Sequence, residues 1–211
     1  MLKKTITAVV ATFMLVSIGC QSSPPEETTQ QSEATTDESL EVATFAGGCF
    51  WCMQPPFDEL DGVDSTVVGY TGGTQEEPTY QQVSSGQTDH LEAVEVRFDP
   101  QQIGYDQLLD VFWRSIDPTD DGGQFADRGD HYRTAIFYHD DQQRQLAEAS
   151  RDELDDTGPF DKPIVTPIEA VDTFWVAEEY HQDYYQKNPD HYQSYYRASG
   201  RAGFLEDTWG Q

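Results

Sequence analysis

A chain of 211 residues has room for one ordinary domain with a real core plus short appended segments. Its 39 acidic side chains against 12 basic ones give a net charge of −27, a surface that repels phosphate backbones and anionic headgroups and so disfavours nucleic-acid binding. An aromatic content of 12%, recurring throughout the chain beyond position 40, excludes wholesale disorder. Four of the basic residues are Lys (Lys3, Lys4, Lys162, Lys187). An acid-rich, Lys-poor surface suits concentrated salt, where screening removes self-repulsion.

The first residues read as an address. Lys3 and Lys4 precede a mostly apolar stretch at 6–18, too short to span a bilayer comfortably, and then Gly19 and Cys20. This pattern predicts a secretory signal over 1–19, cut before Cys20. It resembles the lipobox of bacterial lipoproteins, although Ser17 stands where that pattern usually has Leu. The resemblance implies a lipid on the Cys20 sulfur and an exported protein, held on the periplasmic or extracellular face by that lipid alone. Removal of Lys3 and Lys4 would take the charge from −27 to −29, because 1–19 holds no acidic residue. Residues 20–40 are mostly Gln, Ser, Thr, Glu and Pro, which cannot bury enough surface to offset ordering entropy, so they read as a flexible tether.

The domain is assigned to 41–211. A short apolar strand at 42–45 meets Gly47-Gly48, and a helix is predicted over 49–60, with Pro55-Pro56 restricting its early part. Strands follow at 63–70 and 91–98, the second half-buried by its alternation. Leu108, Leu109, Phe112, Trp113 and Ile116 recur at helical spacing across 105–116. A strand at 133–138 precedes a helix capped by Asp140 or Asp141, running to Leu154 and stopped by Gly158-Pro159. A strand candidate at 164–171 is broken by Pro167, and an aromatic helix is expected over 176–187. Interleaved strands and helices with short links predict an α+β fold, a two-layer ferredoxin-like sandwich with a mixed or antiparallel sheet and helices packed on it.

The chemistry sits in the cysteines. With Cys20 assigned to lipid, Gly48-Cys49-Phe50-Trp51-Cys52 keeps the remaining pair. A glycine turn that delivers Cys49 to a helix start places the sulfur where free N–H groups and the helix dipole favour a thiolate, the nucleophilic form. A structural disulfide across three residues would constrain little of the unfolded chain, and a zinc site lacks a second Cys pair. A redox or nucleophilic pair remains, with Phe50 and Trp51 available to line an apolar pocket. These residues alone do not separate a thioredoxin-like oxidoreductase from a sulfoxide reductase.

Further motifs follow in order: Gly69-Tyr70-Thr71-Gly72-Gly73, Pro78-Thr79-Tyr80, His90-Leu91-Glu92-Ala93-Val94, then Gln124 through Gly129 with Tyr132-Arg133, and finally Lys187-Asn188-Pro189 and Ser199-Gly200-Arg201. Together with Gly48-Cys49-Phe50-Trp51 this order resembles the methionine sulfoxide reductase A family. The resemblance covers nearly all of 42–209. It implies reduction of methionine (S)-sulfoxide, free or in oxidised proteins, by attack of the Cys49 thiolate, with no cofactor and no metal. It implies Glu92 as the acid for the departing oxygen, Tyr70 and Tyr132 as the hydroxyls that hold that oxygen, Phe50 and Trp51 as the methyl pocket, and Asp127 in support. Many relatives carry a second Cys in a C-terminal tail. This chain has no sulfur from Gly203 to Gln211, and Ser84 stands where some relatives have Cys. The family's chemistry therefore implies Cys52 as the resolving thiol, with a thioredoxin-type reductant reopening a Cys49–Cys52 bridge and direct attack by an external thiol as the rival. A monomer is expected.

Other readings stay open at this point. A C-x-x-C disulfide oxidoreductase outside the cytoplasm uses the same pair, and a binding lipoprotein could carry it structurally. On alternation alone Glu92 faces solvent, and Tyr70 and Tyr132 are ordinary half-buried aromatics. His181 and His191 do not make a metal set by spacing, and the tyrosines from Tyr180 to Tyr196 read first as packing.

Overall fold

The structure is a computed structural model that describes residues 39–210. The expected signal at 1–19, Cys20 and nearly all of the tether lie outside the described residues. Strand β1 (Glu41–Gly47) is the centre of a six-stranded sheet. On one side it pairs antiparallel with β3 (Leu91–Phe98), Phe45 opposite Val94, and on the other with β6 (Thr134–Tyr138), Phe45 opposite Ile136. β2 (Val63–Thr71) continues the sheet beyond β3, with Tyr70 opposite Glu92. The edges are β7 (Ile168–Ala170), parallel to β6, and β8 (Trp175–Val176), antiparallel to β2. A two-stranded ribbon, β4 (Gly123–Gln124) with β5 (Asp127–Arg128), stands apart from the sheet. This is the α+β sandwich with a mixed sheet that the pattern of elements predicted.

The helices are α1 (Phe50–Asp58), α2 (Tyr80–Ser84), α3 (Tyr105–Trp113), α4 (Asp141–Thr157), α5 (Tyr184–Lys187), α6 (Pro189–Ala198) and α7 (Arg201–Trp209). The main core lies between the sheet and α1, α3 and α4, where Phe45 stacks on Phe57 at 5.2 Å and on Phe112 at 5.1 Å. The opposite residues of the same strands, Ala46, Ala93, Ala135 and Phe137, pack under Val171 and Phe174. β3 is therefore covered on both faces, and its first residues are buried without a break. Alternation predicted a half-buried strand. The second cover comes from a segment some eighty positions downstream, which no local pattern announces.

Several ends follow local rules. Asp140 caps α4 by accepting from the Gln143 amide at 2.8 Å. Gly158 ends that helix with φ −71 and ψ 174, the extended geometry that the following proline imposes, so the stop belongs to Pro159. Pro55 and Pro56 lie inside α1 and do not break it. Pro189 opens α6, where its missing N–H costs nothing.

The helix expected over 176–187 does not form. The Gln182 side chain accepts from the Val68 amide at 2.9 Å and donates to the Val68 carbonyl at 2.8 Å, completing the edge of β2 as a strand residue would. Asp183 is left-handed at φ 51, its amide on Gln54, and only the last turn, α5, is helical. Tertiary hydrogen bonds outweigh the helical spacing of the aromatics here. The strand at 164–171 shrinks to β7 for a related reason, since Val165 bonds to the Pro118 carbonyl and not to a strand.

Candidate active site

Gly48 takes φ +85 between β1 and α1, a conformation that L side chains rarely adopt, and a Cβ there would lie 2.6 Å from Gln124 Cβ and 3.0 Å from Arg201 Nη2. The turn hands Cys49 to the N-cap of α1. Both sulfurs are buried and free, Cys49 at 4% exposure and Cys52 one turn later at 2%. Their side chains share a hydrogen bond.

Glu92 lies on β3 beside that turn, 1% exposed. Its Oε2 accepts from the Phe50 amide, the first amide of α1, at 3.1 Å. The residue that alternation would send to solvent is thus fully enclosed at the helix start. Burial pushes its carboxyl well above the usual range, the negative charge of Cys49 and of Asp127 adds to that, and the Phe50 bond only partly opposes it. A protonated Glu92 with one oxygen occupied by an amide keeps the other as a proton donor.

The cysteine electrostatics differ from the expectation that the helix start alone would ionise Cys49. The Phe50 amide is spent on Glu92, and burial pushes the Cys49 thiol up, with Cys52 adding to the rise. Cys52 is the sulfur pulled down, first by the hydrogen bond from Cys49 and then by the positive charge of Arg201, which together outweigh its own burial. While no substrate is bound, the Arg201 charge favours a thiolate at Cys52 and burial disfavours one at Cys49. Tyr195 supplies Cys49 with a hydrogen bond that acts the other way. The single proton of that hydroxyl is given in this structure to Asp127 Oδ2 at 2.6 Å, so Asp127 competes with Cys49 for it, which is the place of Asp127 in the site.

Tyr132 comes from the turn at 130–132, and burial followed by the charges of Glu92 and Cys49 pushes its hydroxyl up. Tyr80, at the start of α2, is pushed up to about 12 by burial, then by Glu92 and Cys49. Neither hydroxyl has a protein partner among the described residues. Tyr70, expected to share this task, is committed elsewhere: its hydroxyl donates to Glu178 Oε2 at 2.8 Å. The Tyr80 amide and the Tyr70 hydroxyl outweigh burial at Glu178 and keep it ionised, so the Tyr70 proton is held there. Tyr80 therefore replaces Tyr70 as the second hydroxyl facing Glu92 and Cys49. It stood in the Pro78-Thr79-Tyr80 motif, but nothing local distinguishes the two tyrosines.

Phe50 and Trp51 lie side by side at the start of α1, their ring centroids 6.5 Å apart. Phe50 packs against Tyr70 at 5.9 Å and His181 at 5.0 Å. Trp51 stacks on Tyr184 at 3.8 Å, and its Nε1 donates to His181 Nδ1 at 3.1 Å. Burial lowers His181, so it is neutral and fixes the indole by accepting. His191 instead meets the Tyr184 hydroxyl, and among the described residues no three His, Cys, Asp or Glu side chains could hold a metal ion together. The tyrosines read as packing are split: Tyr184, Tyr192 and Tyr195 border the two sulfurs, while Tyr180 is 57% exposed. Tyr195, Tyr80, His181, Glu178 and Arg201 are the site residues that local reading did not assign.

Two buried sulfurs one helix turn apart, with a carboxyl raised by burial beside them, form a thiol redox site and place the chain among the oxidoreductases. The sequence model of the family described as peptide methionine sulfoxide reductase matches residues 41–211. The peptide methionine sulfoxide reductase MsrA of Bacillus subtilis is 57% identical over 173 residues, covering 82% of this chain and 98% of that one. Among solved structures, Mxr1 of Saccharomyces cerevisiae in reduced form is similar with a TM-score of 0.69 and 32% identity, over 73% of this chain and 88% of that one. Methionine sulfoxide reductase A of Corynebacterium diphtheriae is similar with a TM-score of 0.65 and 34% identity, over 72% and 76%. The chain belongs to the peptide methionine sulfoxide reductase family. Its activity is accordingly that of a methionine sulfoxide reductase, and the disulfide-oxidoreductase reading of the C-x-x-C finds no support in these comparisons.

Proposed function

We propose that the chain reduces the (S)-epimer of methionine sulfoxide, free or in oxidised proteins, with each step carried by a residue at this site. The observation that carries the reading is Glu92, buried on the first amide of α1 beside Cys49, where burial pushes its carboxyl well above the usual range and favours the protonated form. The substrate methyl rests against Phe50 and Trp51. Its oxygen is held by the hydroxyls of Tyr80 and Tyr132 and by the Glu92 carboxyl. Cys49 attacks the sulfoxide sulfur while Glu92 protonates the oxygen. The oxygen ends on Cys49 as a sulfenic acid, and methionine leaves as the sulfide. Oxygen thus passes from the substrate to the Cys49 sulfur, and two electrons pass from the Cys49 sulfur to the substrate.

Cys52 then attacks the sulfenic sulfur, a sulfur–sulfur bond forms, and the oxygen departs as water. A dithiol of thioredoxin type returns both cysteines to thiols and leaves as its own disulfide. The burial of both sulfurs in one cluster, a single helix turn apart, supports Cys52 over an external thiol as the resolving group. The substrate enters without a proton on its oxygen, so activity falls as pH rises through the raised Glu92 value and the donor is lost.

An assay with each epimer and dithiothreitol tests the reading. One epimer should turn over and the other should not; equal turnover, or none, sinks it. Cys52→Ser should still release the first equivalent of methionine and then stall with thioredoxin. Sustained turnover would assign resolution to the external thiol. The N-terminal pattern further supports a lipid on Cys20 and action outside the cytoplasm. Radiolabelled palmitate should enter the intact chain and not Cys20→Ser, and label retained by that variant removes the anchor.

A further inference from the structure

Arg201 is among the largest fully buried side chains of the fold, 1% exposed. It is the first residue of α7, and Gly200 at φ +89 turns the chain so that its side chain runs under α1. The guanidinium donates to the Gly47 carbonyl at 2.9 Å and to the Ser115 carbonyl, approaches Met53 Sδ at 3.7 Å, and lies 4.7 Å over the Phe125 ring. Its Nε has no partner among the described residues. A chain with 39 carboxylates sets none of them, among the described residues, against this buried cation. Carbonyl dipoles do not neutralise a buried charge, and an isolated one is costly to keep.

Cys52 borders the same cavity of about 370 Å³ as Arg201, with Tyr192, Tyr196, Leu205 and Arg114. Arg114 is half-buried, paired with Asp110 and laid over Trp209, so its charge is already answered. The groups acting on Cys52 are Cys49, Asp127, Glu92 and the hydroxyls of Tyr192, Tyr195 and Tyr196, with Arg201 as the cation of the set.

We propose that Arg201 is the counter-ion of the redox cysteines, a positioning residue that holds Cys52 as a thiolate ready to attack the sulfenic acid of Cys49 and to leave when the disulfide is reopened. The missing carboxylate is the reason: the negative partner of this cation is a sulfur. In the resolving step the Cys52 electron pair forms the sulfur–sulfur bond, the Cys49 sulfur–oxygen bond breaks, and hydroxide leaves to be protonated to water. In the reopening step the attacking thiolate bonds to Cys49, and Cys52 takes back the electron pair of the broken bond beside Arg201. The inference rests on Cys52 as the resolving sulfur.

The test is a thiolate titration by ultraviolet absorbance on the Cys49→Ser protein, which retains one cysteine in the domain. Cys52 should titrate below the ordinary thiol value of about 8.5. A value at or above it overturns the proposal without any Arg201 variant being needed. In the same background Arg201→Met should cut the thiolate fraction at neutral pH about tenfold, and Arg201→Lys, which keeps the charge but not the fork, should recover most of it. Equal loss in both overturns it. An Arg201→Met chain that fails to fold leaves the first titration and the Lys variant to decide. Failure of the parent reading looks different: Cys52→Ser would then turn over with thioredoxin whatever Cys52 titrates at.

Discussion

The surroundings of Cys49 and Cys52 contrast sharply for two sulfurs three positions apart. Cys49 faces Glu92, Asp127 and Tyr195, an acidic and hydroxyl-rich side where burial keeps its proton on. Cys52 borders a cavity with Arg201, whose positive charge favours a thiolate there against burial and the more distant charges of Asp127 and Glu92. The difference teaches that one helix turn can divide a redox pair into a sulfur that must be activated by its substrate and a sulfur that rests charged. The helix dipole does not make that division, since it serves both sulfurs. It is made first by the burial of Cys49 and the contact between the two sulfurs, with Arg201 of α7 adding on the Cys52 side.

The contrast can be broken most forcefully at Cys49. Cys49→Ser should abolish methionine release, a loss of at least about 10³-fold in kcat, with the fold retained by circular dichroism. Residual rapid release would mean that the charged sulfur, Cys52, can attack by itself. Glu92→Gln comes next, with a fall of about 10²-fold and loss of the fall in rate at high pH. The same residue couples to stability. Its folded value lies above its unfolded one, so the native state binds the extra proton between them, and stability declines as pH rises through the folded value. Thermal melts across that window should show the decline in the parent and a flatter profile in Glu92→Gln; parallel profiles would place the carboxyl in solvent.

The tyrosines sharpen the acidic side. Tyr80→Phe should slow sulfoxide reduction about tenfold, near 1.4 kcal/mol, while Tyr70→Phe should cost less because its hydroxyl serves Glu178. The reverse order would restore the role that the sequence motif gave Tyr70. The smallest effect concerns the surface as a whole. Raising salt from about 0.01 M to about 1 M shortens the screening length from about 30 Å to about 3 Å and should raise Tm. The Cys52 titration should hardly move, because Arg201 is buried. A salt-sensitive Cys52 would mean that surface charge, not Arg201, sets its ionisation.

Local pattern carried the layered α+β architecture, the helix at 105–116, strand β3 to the residue, and the cap at Asp140, because each rests on periodicity or on a side chain bonding its own turn. Cys49 at the glycine turn was legible for the same reason, and the order of motifs carried the family. The helix expected over 176–187 was not correct, since Gln182 and Asp183 bond to Val68 and Gln54, more than a hundred positions away. Glu92 was legible as the acid only through the resemblance, because its burial comes from elements that alternation cannot see. Tyr80 and Tyr70 are the same residue type in equally motif-like runs, and only the Glu178 carboxylate tells them apart. By itself the sequence determined the sheet-and-helix order, the reactive cysteine and the chemistry of its family. Tertiary structure decided which tyrosine hydroxyl is bound to Glu178, how deeply Glu92 and the two sulfurs are buried, and that Arg201 is enclosed beneath α1. Electrostatics and burial depend on distances between chain segments, and a linear pattern records only spacing.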